Sequence, residues 1–81
     1  MVKWFIYLVR CSDSSLYCGI TTNLDRRVKQ HNSGKGAKYT KPRKPVVLVY
    51  TEESENRSLA SKREFQIKKL SRSQKLELIN A

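Results

Sequence analysis

The chain has little of what stabilises a zinc-bound or disulfide-bridged domain. Its 81 residues include two cysteines and one histidine, too few ligands for a four-coordinate structural zinc site. Cys11 and Cys18 are therefore expected to be reduced and buried. The opening stretch MVKWFIYLVRC has neither the apolar length nor the cleavage site of a secretory leader, so the expected location is cytoplasmic. No apolar run approaches the roughly 20 residues that span a bilayer, and no lipidation motif appears, so no membrane partner is expected. Acidic residues are scarce as well: seven Asp and Glu face seventeen Lys and Arg, for a net charge of +10. So basic a chain predicts a polyanionic partner, and without membrane features that partner is nucleic acid. Gly34-Lys35-Gly36 is too short for a phosphate-binding loop. With a single histidine and no serine singled out beside it, a Ser-His-Asp triad is not available.

The residues present fit one domain, residues 1–81, small enough that a polar group on an inward face is costly. KWFIYLVRC is apolar on both alternating faces, with Trp4, Ile6 and Leu8 on one and Phe5, Tyr7 and Val9 on the other. That is the pattern of a strand covered on both sides. Ser12, Asp13 and Ser14 read as a turn, and LYCGI as the second strand of a hairpin. Thr21, Thr22 and Asn23 are all N-cap types, Asp25 suits the first turn, and the helix after them is expected to run to about Ser33, with Gly34 at its C-terminal cap. Residues 35–44, KGAKYTKPRK, form a basic loop with five positive charges and no acid. VVLVY after Pro45 reads as a third strand and TEESEN as an acidic connection. Leu59, Ala60, Ile67 and Leu70 mark an amphipathic helix over about 57–70. Ser71 and Gln74 form a capping box that opens a last short helix. The expected class is α+β: a three-stranded antiparallel sheet flanked by helices, in the order β-β-α-β-α-α.

Some polar residues sit where the pattern calls for packing. Arg27 and His31 lie four apart beside the Leu24 and Val28 stripe. Each has an ordinary structural explanation: Arg27 lies along the apolar surface with its charge in water, and His31 closes a packing edge. Glu64 lies at the edge of the Ala60 and Ile67 stripe, where it either holds a metal ion or pairs with Lys68 one turn on. Tyr7 and Tyr17 fall on partner strands of one hairpin, and the register decides whether they share a face.

Taken together, Ile6-Tyr7, Tyr17-Cys18-Gly19, Arg27, His31 and Glu64 resemble the GIY-YIG nuclease superfamily, and in particular its small single-domain bacterial members. Stretches like WFIYLVRC, LYCGITTNLDRR, GKGAKYT and SLASKREFQIKKL carry the likeness across nearly the whole chain. The first motif reads Phe5-Ile6-Tyr7, without its glycine, and the second has cysteine in place of isoleucine. The resemblance implies a metal-dependent endonuclease acting on DNA, in repair, recombination or genome maintenance. RNA is an open alternative substrate. It also implies one divalent ion, Mg²⁺ or Mn²⁺, held by Glu64, with Arg27 stabilising charge on the phosphate. Tyr7 would orient or deprotonate the water, His31 would accept a proton, and Tyr17 would hold the phosphate or water. Lys35, Lys38, Lys41, Arg43 and Lys44 would contact phosphates without reading sequence, joined by Lys68, Lys69, Arg72 and Lys75. A monomer or weak dimer is expected, working alone or with a targeting protein. Two further readings compete: a nucleic-acid-binding module that has lost turnover, and an adaptor for an acidic protein.

Overall fold

The computed structural model describes residues 2–80. Strand β1 (Trp4–Arg10) and strand β2 (Leu16–Thr21) lead into helix α1 (Leu24–Asn32). A single 3-10 turn at Lys41–Arg43 precedes β3 (Val47–Ser54), and helices α2 (Arg57–Lys68) and α3 (Arg72–Asn80) complete the chain. The sheet is antiparallel in the order β2-β1-β3. The expected class and element order therefore hold, and β1 is the central strand that its two apolar faces require.

Each face of β1 meets its own core. Ile6, Leu8 and Cys18 pack with Ala60 and Ile67 of α2 and with Leu78 and Ile79 of α3. Tyr7, Val9 and Cys11 pack on the opposite side with Val46, Leu24 and Val28, the last two from α1. The register sets Tyr7 opposite Gly19 and Val9 opposite Tyr17. Because side chains alternate along a strand, both tyrosines and Gly19 face α1, while Cys18 faces α2. On the other edge the register shifts between Leu8, opposite Tyr50, and Val9, opposite Leu48. Val49 is thus the extra residue of a bulge, which lets Val49 and Tyr50 join the α2 side and Leu48 the α1 side.

Two expectations are corrected. TEES is strand rather than connection: β3 continues through Ser54 because Trp4–Tyr7 offer it a full ladder. Glu52 is tolerated there because Arg63 of α2 grips both carboxylate oxygens, at 2.8 and 2.9 Å, and the Tyr50 hydroxyl donates to it as well. Leu59 lies off the buried stripe and is 49% exposed, whereas Ala60 and Ile67 are fully buried.

Both ends of α1 are pinned by specific hydrogen bonds. Asn23 is the N-cap, its Oδ1 accepting from Arg26 N at 3.0 Å. At the other end Gly34 takes φ +83°, with Gly34 N donating to His31 O and Lys35 N to Gln30 O. This is a Schellman closure, which needs a residue free to be left-handed. It stops the helix at Asn32, one residue after His31, and turns the chain into the basic loop. Asn32 pairs both backbone groups of Val46, at 2.6 and 3.2 Å, fixing the far end of that loop. The capping box is also present, with Gln74 N to Ser71 Oγ at 3.2 Å and Ser71 N to Gln74 Oε1 at 2.9 Å.

Candidate active site

Tyr7 is 1% exposed and His31 is completely buried, so every polar hydrogen on them needs an acceptor. The Tyr7 hydroxyl lies 2.8 Å from His31 Nε2 and 3.3 Å from Arg27 Nε. Arginine only donates, so the phenol proton goes to Nε2. That leaves the histidine proton on Nδ1, which faces Thr40 Oγ1 at 2.7 Å. The Thr40 hydroxyl in turn donates to Ala37 O at 3.0 Å. The result is a directed chain from the Tyr7 hydroxyl through His31 and Thr40 to a backbone carbonyl.

Two glycines make room for it. A Cβ on Gly19 would fall 2.5 Å from the Tyr7 hydroxyl oxygen, and a Cβ on Gly36 would collide with His31 Nδ1. The glycine that ends the second tyrosine motif is therefore a matter of space beneath the Tyr7 phenol.

Burial raises the Tyr7 hydroxyl above its ordinary pKa, opposed by the hydrogen bond and charge of Arg27. Burial lowers His31, and the Arg27 guanidinium lowers it further. Both effects favour the uncharged pair at rest. Reaching phenolate and imidazolium costs about 5 kcal/mol from the ordinary values of the two side chains, and burial adds to that cost. Arg27 favours the phenolate and is itself held by Gln30 Oε1 at 3.2 Å.

Tyr17 stands edge-on to His31, with ring centroids 5.5 Å apart, and stacks on Tyr39 at 5.8 Å. The Arg43 guanidinium lies 4.1 Å over the Tyr39 ring, bonds Asp13 at 3.0 Å, and donates to Tyr39 O at 2.8 Å. Asp13 sits below the usual carboxylate range through its hydrogen bonds to Ser15 and then to Arg43. Arg43 therefore ties the basic loop to the β1–β2 turn. The other four cations of the loop, Lys35, Lys38, Lys41 and Lys44, are exposed.

Glu64 comes from the other side of the sheet. Its carboxylate pairs with Lys68 at 3.5 Å, and the Lys68 ammonium lies 6.0 Å over the Tyr17 ring. Glu64 also lies close enough to Cys18 to help burial push that thiol up to about 11. Tyr7, Tyr17, Arg27 and His31 are thus brought together on the α1 face of the hairpin. Glu64 approaches the β2 edge from α2, with no hydrogen bond to any of the four. Among the described residues no three His, Cys, Asp or Glu side chains converge as metal ligands. A single half-buried carboxylate would serve as one oxygen ligand to a hard, largely hydrated divalent ion such as Mg²⁺, once released from Lys68.

Sequence reasoning missed Thr40, Gly36 and Tyr39. The signal was there, since Thr40 and Tyr39 interrupt a run of lysines and Gly36 comes after an already satisfied helix stop at Gly34.

A three-stranded sheet with a tyrosine, histidine and arginine constellation over one face defines a small α+β domain with a polar site beside an edge strand. The family model that matches is described as a GIY-YIG catalytic domain and covers residues 3–77; the chain belongs to the GIY-YIG family of nuclease domains. It is 56% identical over 79 residues to a UPF0213 protein of Staphylococcus haemolyticus, covering 98% of this chain and 96% of that one. It is 54% identical over 77 residues to a UPF0213 protein of Clostridium perfringens, covering 95% and 83%. Among solved structures, the solution NMR structure of a UPF0213 protein from Bacillus halodurans matches with TM-score 0.62 and 44% identity, covering 96% of this chain and 83% of that chain. That of an E. faecalis protein matches with TM-score 0.65 and 45% identity, with the same coverage. No helix among the described residues is long and apolar enough to cross a membrane.

Proposed function

We propose that this chain is a divalent-metal-dependent endonuclease that hydrolyses phosphodiester bonds in DNA, in the service of repair, recombination or genome maintenance. The observation that carries the reading is the buried Tyr7–His31 hydrogen bond at 2.8 Å with Arg27 on the same oxygen. A fold needs no proton donor, acceptor and fixed cation at one buried point; an attack by water on phosphorus does. In this reading Tyr7 passes its proton to His31 Nε2 and, as phenolate, takes a proton from the water attacking in line. Arg27 stabilises the phenolate and presents its remaining donors to the phosphate. Tyr17 positions the phosphate or water at the rim. Glu64 is the residue that would hold Mg²⁺ or Mn²⁺, which when bound supplies charge neutralisation for the departing oxygen. A strand lying across the β2 edge would meet Arg27 from one side and Glu64 from the other. Lys68 would then exchange its carboxylate partner for a phosphate. Lys35, Lys38, Lys41 and Lys44 are free to track the backbone, so cleavage depends on the structure of the nucleic acid more than on its sequence.

The Glu64–Lys68 pair, together with Phe5 at the first motif position, favours one second reading, a nucleic-acid-binding module without turnover. A labelled panel of single-stranded, duplex, flap and branched DNA, with and without Mg²⁺ or Mn²⁺, separates the two. Metal-dependent scission supports the nuclease, and salt-sensitive binding with intact strands supports the module.

A further inference from the structure

Thr40 is as completely buried as His31, in a loop otherwise rich in lysine. Its backbone is accounted for: Thr40 N donates to Ala37 O and Thr40 O accepts from Arg43 N. Any residue able to make this turn would keep those bonds. The hydroxyl does something separate. Its proton goes to Ala37 O at 3.0 Å, and its oxygen meets His31 Nδ1 at 2.7 Å. Gly36 leaves the space beside the same ring atom open, which a Cβ there would occupy.

We infer that Thr40 is a positioning residue: by accepting the Nδ1 proton, its hydroxyl holds His31 in the tautomer whose Nε2 faces the Tyr7 hydroxyl. The effect of this on rate rests on the nuclease reading, whereas the tautomer itself does not. A neutral histidine offers one donor and one acceptor, and the partner of one nitrogen sets the role of the other. If Nε2 carried the proton, it would donate to the Tyr7 oxygen, and His31 could take nothing from the phenol. When His31 becomes imidazolium, the same Thr40 oxygen continues to accept from Nδ1, so the charged form needs no rearrangement on that side.

The test uses the full chain with ¹⁵N-labelled histidine, as wild type, Thr40→Val and Thr40→Ser. Nitrogen shifts report the tautomer of the single histidine directly, and cleavage and DNA binding are measured in parallel. Wild type and Thr40→Ser are expected in the Nδ1–H form. Thr40→Val, similar in volume but without an acceptor, is expected to lose that preference and to cleave about 100-fold more slowly at unchanged DNA affinity, with Thr40→Ser restoring the rate. An Nε2–H histidine in the wild type overturns the inference, even if Thr40→Val fails to fold. So does a Thr40→Val variant that keeps the wild-type tautomer. If the wild type cuts nothing, the nuclease reading fails, and the nitrogen shifts still decide the role of Thr40.

Discussion

Replacing Gly19 by alanine puts a methyl group where Tyr7 already is. The new Cβ would lie 2.5 Å from the phenol oxygen, 2.7 Å from Cζ and 3.0 Å from Cε2. Non-bonded carbon atoms settle near 3.5–4.0 Å, so the ring must retreat by about 1 Å. It has nowhere easy to go, because Val9, Cys11 and Val46 are buried in the same cluster. Gly19 lies in a strand with no left-handed backbone requirement, so the penalty is steric. Overpacking of this kind costs about 1–3 kcal/mol. In a domain of this size each kcal/mol lowers Tm by about 4–8 °C. The same retreat stretches the 2.8 Å bond to His31, and misplacement by about 1 Å costs about 10²-fold in rate. Thermal melting and the cleavage assay read the two effects independently. Adding Tyr7→Phe should recover only part of the lost stability, since it removes the oxygen and leaves Cζ and Cε2 in contact. A Gly19→Ala variant that melts and cleaves like wild type would refute this account of the glycine.

Three other perturbations probe different parts of the argument. Arg27→Lys keeps a charge but loses the planar Nε donor to Tyr7, and should lower cleavage by at least about 10²-fold with binding nearly intact; equal rates would remove Arg27 from the site. The folded protein keeps His31 neutral below its ordinary value of 6.5, whereas the unfolded chain protonates there, so stability is full above about pH 6.5 and falls as pH drops toward the depressed folded value. The groups facing the ring are Tyr7, Thr40, Tyr17 and the Arg27 cation, none of which reverses that sign. Urea melts between pH 7 and 5 should show the decline, and His31→Gln should flatten it. Single substitutions to alanine at Lys35, Lys38, Lys41 or Lys44 should each reduce the slope of log affinity against log salt by about 1 without changing Tm. Arg43→Ala should also lower Tm, because it cuts the ties to Asp13 and Tyr39.

The order of elements was legible because it rests on local signals: two-faced apolarity in β1, a choice of N-caps before α1, a capping box before α3. That Tyr7 and Tyr17 share a face was not, since a one-residue slip of the hairpin would have separated them. The short turn and the need of Tyr7 for space at Gly19 settle the register. Thr40 stands out in the sequence only as a break in a run of lysines, and its partner His31 is reached through the fold of the basic loop. The full extent of β3 is hidden for a similar reason. Glu52 reads as a connection until Arg63, eleven residues on, is seen to neutralise it.

Cleavage and binding of one labelled DNA substrate by wild type and Glu64→Ala, side by side in Mg²⁺ or Mn²⁺, test the central claim most directly. The account predicts that both bind with similar, salt-sensitive affinity and that only the wild type cuts. Equal cutting by the two proteins, or a wild type that binds the DNA and leaves it intact with either metal, would contradict it.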